Sequence, residues 1–240
     1  FPSLFGAEAS EATKARAEHI IYLFMAGGMS HIDTFDPKPG TEVHGKFKTI
    51  EANNGRKMSE HLPNLAKIMD RVALINSMTS KEGSHERGQY TLHTSFPPLG
   101  TIVHPTIGSW VAKFTKPINQ TLPPFVTIGK EKFSSGFFGS KYEPLNIVKS
   151  SLGLANIHLP KDVTETQFQE RMKLLSELDK DFQAKYKNAN IQTYNDYYQD
   201  AIKVMFSEDV KVFDLSSESE ETKSKYGTSD FGQGCLLARR

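Results

Sequence analysis

Cysteine is almost absent from this 240-residue chain, where Cys235 stands alone. An intrachain disulfide and a Cys-rich zinc site are therefore excluded, although the compartment is not fixed by that absence. Long hydrophobic runs are missing too. The longest is the short block from Ile20 to Ala26, well under the ~18 residues that span a bilayer. Charge of one sign is lacking, with 29 Lys and Arg against 28 Asp and Glu and a formal net charge of +1. A general nucleic-acid binder draws on many unpaired cations to displace counterions, so nucleic acid is not an expected partner and electrostatic function has to be local. No P-loop, dinucleotide fingerprint or Gly-x-Ser-x-Gly elbow occurs, which sets aside Walker-type nucleotide hydrolysis and the serine-hydrolase triad. His44, His61, His93, His104 and His158 are scattered without metal-ligand spacing and read as surface or core-edge residues.

The length allows one large domain or two small ones. The chain begins with Phe1, and Ala7-Glu8-Ala9 forms a small-x-small pattern of the kind an export peptidase cuts. An ordinary disordered terminus is the equal alternative, and residues 1–18 read as a leader remnant or linker. Order is expected from residue 19 onward.

His19 to Met25 is apolar without alternation, the pattern of a strand buried on both faces. Gly27 and Gly28 follow, then Ser30, His31, Asp33 and Asp36, which places polar groups at the carboxyl end of that strand. In open α/β sheets ligands bind at that end. Thr41 to Glu60 reads as a polar excursion, Leu62 to Met69 as a helix, and Val72 to Ser77 as a second buried strand. Together these make a βαβ unit, so the expected class is α/β with a mostly parallel sheet flanked by helices. A helix is expected from Ser84 or His85, another over Ile107 to Phe114, and a third strand over Phe125 to Gly129. Residues 133–160 read as a loop packed by aromatics. Phe168, Met172, Leu175, Leu178, Phe182 and Tyr186 recur at helical steps, and Tyr194, Tyr198, Ala201 and Met205 repeat them, which predicts a helical hairpin over about 164–206 with a core-facing stripe. Ser216 to Ser224 reads as a solvated turn. A helix starting near Ser229 runs to Arg240 without a capping Gly or Asn, so the stop resembles a cut and the domain 19–240 reads as incomplete at its C-terminus.

Two loops carry candidate chemistry. In the first, imidazole and carboxylates beside a Gly turn suit a divalent cation, and His31 and Asp33 would point the same way if the stretch is extended. The plainer alternative makes Asp33 and Asp36 turn and capping residues. In the second, Ser84 could attack an ester at a helix start, where N–H groups face a developing anion, and Arg87 could pair with an anionic substrate. The plainer alternative makes Ser84 a helix N-cap, with Thr79-Ser-Lys-Glu82 as a rival capping box.

The runs Ile21-Tyr-Leu-Phe-Met-Ala-Gly-Gly-Met-Ser-His-Ile-Asp-Thr-Phe-Asp-Pro-Lys38, Ile75-Asn-Ser-Met78, Ile107-Gly-Ser-Trp110, Leu122-Pro-Pro-Phe125 and Tyr226 to Arg240 resemble the domain of unknown function 1501 family. Its members are bacterial proteins, usually exported with a twin-arginine leader, and the family is placed in the alkaline phosphatase/sulfatase-like superfamily. The resemblance implies a periplasmic or secreted hydrolase with an alkaline-phosphatase-like core. It also implies a divalent metal (zinc, calcium or manganese) held by His31 and Asp33 with Asp36 behind them. Ser84 or His85 would lie in the nucleophile region, Thr79 would come second, and Arg87 or His85 would steady the anion. The implied substrate is a small phosphate or sulfate ester. Two departures stand against this. Ala26 and Gly27 occupy the place where the superfamily usually has an Asp, and the Trp-Asp-x-His motif and further ligands of related chains are not in these 240 residues. A non-catalytic exported binding or scaffold protein is the alternative expectation.

Overall fold

A computed structural model describes residues 17–129, 134–154, 157, 159–185 and 198–240. The chain separates into two compact units, Phe1–Lys81 and Glu82–Arg240. Expectations for residues 1–16, His158, Tyr186 and Tyr194 lie outside the described residues.

The first unit is organised by a hairpin. Strand β1 (Thr49–Glu51) pairs antiparallel with β2 (Lys57–Ser59), with Ile50 opposite Met58. Gly55 turns the chain between them at φ +80°, a conformation that costs a residue with a Cβ far more than it costs glycine. Helix α1 (Pro63–Ala66) begins with proline, whose missing N–H is no loss in a first turn, and a 3₁₀ turn follows at Met69–Arg71. Ala52, Met58, Ala66 and Met69 are buried together, with Phe35, Ile50, Leu62, Leu65 and Val72 packed around them. Asn53 fastens the hairpin turn to this helical segment. Its Nδ2 donates to the Lys67 carbonyl at 2.8 Å and to Asp70 Oδ1 at 2.6 Å, while its Oδ1 accepts from the Asp70 N–H at 2.9 Å. Helix-end carbonyls that lack intrahelical partners are satisfied in this way.

In the second unit, α2 (His85–Thr94) and α3 (Ile107–Phe114) precede β3 (Val126–Ile128), which pairs in parallel with β4 (Leu145–Ile147). Helix α4 (Glu165–Lys185), α5 (198–205), α6 (Glu220–Tyr226) and α7 (Asp230–Arg239) follow. The core joins the strands to the end of the chain: Ile147, Phe213, Leu215, Leu236 and Leu237 are buried, against Leu122, Val126, Ile128 and Leu145. Ser229 caps α7 by accepting the Gly232 N–H at 3.1 Å, a contact of the usual N-cap type. Gly232 is required by space, because a Cβ there would collide with the Tyr226 carbonyl oxygen.

Several expectations are corrected. His19 to Met25 and Val72 to Ser77 form no strand, and several of their apolar side chains are exposed, Ile20 at 66% and Ile75 at 67%. A buried strand needs ladder partners for its N–H and C=O groups, and neither segment belongs to a sheet among the described residues. The polar excursion at Thr41 to Glu60 contains the β1–β2 hairpin, and the loop 133–160 contains β4. The solvated turn at Ser216 to Ser224 is largely helix α6. The stripe on α4 is only partly covered among the described side chains: Leu175 and Leu178 are exposed, while Phe168 meets Phe206 next to α5 with ring centroids 5.6 Å apart. Helices α2 and α3 and strand β3 form where they were expected.

Candidate functional site

Each sequence-derived loop is described in its own unit. Residues 31–36 are a series of turns, not an extended stretch. Thr34 and Asp36 donate their N–H groups to the His31 carbonyl at 3.3 and 2.9 Å. The alternation that would aim His31 and Asp33 the same way therefore does not operate here. Asp33 Oδ2 accepts from Ser30 Oγ at 2.7 Å, and Asp36 Oδ2 pairs with Lys38 Nζ at 2.7 Å. Asp33 also lines a shallow surface depression with Ile32, Pro37, His44, Gly45 and Lys48. His44 is the residue that sequence spacing passed over, and its Nδ1 is buried without a hydrogen-bond partner among the described residues. Nothing in an 11-residue separation from Asp33 signals that meeting.

His31, Asp33 and Asp36 carry donors of the right chemistry for a divalent cation. Among the described residues, however, no three His, Cys, Asp or Glu side chains group closely enough to hold one. Asp36 is further engaged by the Lys38 ammonium. These residues do not make a complete cation site by themselves.

Ser84 is the N-cap of α2, in extended conformation, and its Oγ accepts the Arg87 N–H at 3.4 Å. The Thr79-to-Glu82 capping box is not used, since residues 78–82 precede the helix as irregular chain. The Ser84 hydroxyl proton has no acceptor within hydrogen-bond distance among the described residues, and His85 follows, exposed, as the first helical residue. Arg87 turns its guanidinium onto Glu82. Its Nε donates to Oε2 at 2.6 Å and Nη2 donates to Oε1 at 3.1 Å, a two-pronged pairing that matches the planar fork. The hydrogen bonds from Arg87 hold the Glu82 carboxyl below the usual carboxylate range, and Glu82 raises Arg87 in return. The anion-binding fork is thus occupied by a carboxylate of the same loop.

Farther along α2, Tyr90 and His104 are locked to each other. The Tyr90 hydroxyl accepts the His104 backbone N–H at 2.7 Å and lies 2.8 Å from ring Nδ1. The hydroxyl thus meets His104 through both its main chain and its ring. Phe96 stacks on His104 at 4.7 Å, with the planes 9° apart. His93, one turn along, is buried, and burial pushes its imidazole down. Burial pushes the Cys235 thiol up, which makes it a poor nucleophile at neutral pH.

Among the described residues no helix is long and apolar enough to cross a membrane. No curated protein and no solved structure matches the chain. The family described as "Protein of unknown function (DUF1501)" matches residues 17–240, so the chain belongs to the domain of unknown function 1501 family.

Proposed function

We propose that this protein is an exported hydrolase-like member of the alkaline phosphatase/sulfatase-like superfamily that acts on phosphate or sulfate esters in the periplasm or outside the cell. The observation that carries the reading is the setting of Ser84. Its hydroxyl stands at the positive end of the ten-residue helix α2, where backbone N–H groups lacking intrahelical partners favour an incoming anion. In the proposed reaction Ser84 Oγ bonds to phosphorus or sulfur while the bond to the departing alcohol oxygen breaks. The serine proton passes through solvent to that alkoxide. Water then cleaves the covalent ester, releasing inorganic phosphate or sulfate and restoring the hydroxyl. His85, beside Ser84 in sequence, is proposed to steady the anion, with Arg87 joining it when released from Glu82.

A divalent cation (zinc, manganese or calcium) is proposed for the first unit, where it would act as a Lewis acid toward an anionic oxygen. His31 and Asp33 are proposed as two of its donors, and Asp36 could join only by leaving Lys38. The remaining donors would have to come from outside these three. The alkaline-phosphatase-like α/β core belongs to the same proposal, supported by the parallel pairing of β3 with β4.

A second reading, a non-catalytic exported binding or scaffold protein, has its own support. Arg87 is neutralised by Glu82, and no base lies within hydrogen-bond distance of Ser84 Oγ among the described residues. Hydrolysis of p-nitrophenyl phosphate and p-nitrophenyl sulfate, measured with zinc, manganese or calcium added in turn, separates the two. Turnover that Ser84→Ala removes supports the hydrolase. Absence of turnover with every metal supports the scaffold.

A further inference from the structure

Away from Ser84, the second unit carries an exposed aromatic surface. Trp110 and Phe114 lie one turn apart on α3, with ring centroids 5.6 Å apart and planes 13° from parallel. Phe138 meets Trp110 edge-on at 4.7 Å, and Tyr142 extends the group at 6.0 Å from Phe138. Phe114 is 69% exposed and Trp110 37%. Large rings left in water are unfavourable by the ordinary hydrophobic rule, so a contiguous group of them marks a contact surface.

The charge on this surface decides what it fits. Lys113 Nζ sits 3.8 Å from the Phe138 centroid and 5.7 Å from that of Tyr142, and Lys141 Nζ approaches Tyr142 at 5.9 Å. Neither lysine has a carboxylate partner among the described residues, and both ammonium groups lie within 5.9 Å of a ring of this group. Two unneutralised ammonium groups converging on one ring leave a local positive charge beside exposed π-faces. From this juxtaposition of parallel rings and unpaired lysines we infer that the Trp110–Phe114 face is a binding platform for a sulfated saccharide.

The chemistry is complementary at each point. The C–H bonds on a pyranose face carry partial positive charge and meet the negative faces of the rings. Sulfate groups at the sugar's edge meet Lys113 and Lys141 as charge-assisted hydrogen-bond acceptors. A single-stranded nucleic acid also offers flat rings and anions, but it follows a track of several cations, and this face supplies two. A purely acidic peptide supplies anions and no rigid ring face. The platform stands or falls separately from Ser84 and from the hydrolytic reading.

Trp110 is the only tryptophan in the chain, so its emission reads this surface alone. The full chain is titrated, with Trp110 fluorescence recorded, against dextran sulfate, plain dextran, poly-glutamate and an oligo-dT strand at near-physiological salt. A saturable change with dextran sulfate is expected, with affinity at least about tenfold above the other three. Lys113→Ala and Phe114→Ala are each expected to weaken that binding by about tenfold. Both side chains are exposed, and circular dichroism verifies their folding; Lys113→Ala alone suffices if Phe114→Ala does not fold. No emission change with dextran sulfate overturns the inference. So does an equal response to poly-glutamate, tighter binding of oligo-dT, or dextran sulfate affinity unaltered by Lys113→Ala.

Discussion

Arg87 holds Glu82 with both prongs of its guanidinium, at 2.6 and 3.1 Å, directly beside the N-cap serine of α2. The group best shaped to grip an anionic ester is therefore satisfied internally, and Glu82 acts as an occupant that a substrate must displace. Glu82→Gln removes the competing charge. It is expected to lower the KM for p-nitrophenyl phosphate several-fold with kcat little changed, as measured by steady-state kinetics. Because the Glu82 carboxyl is held below its ordinary value, the pairing contributes fully above about pH 4.5 and is lost as pH falls through the lowered value. The Arg87 Nε–H resonance, followed by NMR, is expected to shift in that acid range and to stay put in Glu82→Gln.

Ser95 ends α2 in the left-handed region, at φ 64°, the one non-glycine residue with positive φ among those described. Glycine, which has no Cβ, takes that conformation without a clash against the following carbonyl. Ser95→Gly is expected to raise stability by roughly 1 kcal/mol, seen as a higher urea midpoint with unchanged slope.

Three hydrogen bonds from one side chain join the β1–β2 turn to the segment after α1, all made by Asn53. Asn53→Ala is expected to cost about 0.5–1.5 kcal/mol, since the bonds are exposed and water takes over the Lys67 carbonyl and the Asp70 N–H. Hydrogen exchange at Asp70 is the local measurement, with faster exchange expected in the variant.

Burial keeps the His93 imidazole neutral, with its proton affinity lowered from the ordinary 6.5. A lowered value means that the unfolded chain binds the proton more readily. The associated stability is present above pH 6.5 and is lost as the pH falls from there through the lowered value. Urea midpoints between pH 7.5 and 5 are expected to fall in the parent chain, and His93→Gln is expected to remove that part of the slope.

The helix expected over Ile107 to Phe114, after the break at Pro97, Pro98 and Gly100, forms over those residues as α3. The start of α2 was legible from Ser84, whose capping bond is present. The segment 19–25 reads as a strand because an apolar run without alternation reports what a strand could bury. It does not report whether a neighbouring ladder exists, and here Ile20, Ile21 and Leu23 are exposed. Helix α6 was hidden by its acidic composition. Glu220 and Glu221 in its first turn and Lys223 and Lys225 in its last follow the helix dipole, and that order was the missed signal. The sites divide in the same way. Ser84 was visible because capping is local, whereas the Glu82 pairing of Arg87, the depression shared by Asp33 and His44, and the Tyr90–His104 lock depend on how the chain folds back on itself.

The hydrolytic reading rests on the Ser84 hydroxyl, and one comparison addresses it most directly. Parent chain and Ser84→Ala are assayed side by side on p-nitrophenyl phosphate and p-nitrophenyl sulfate, with zinc, manganese and calcium supplied in turn and folding verified by circular dichroism. Removing a covalent nucleophile is expected to lower turnover by a factor on the order of 10³ or more. Equal turnover in the two chains, or none in the parent with any metal, would contradict it.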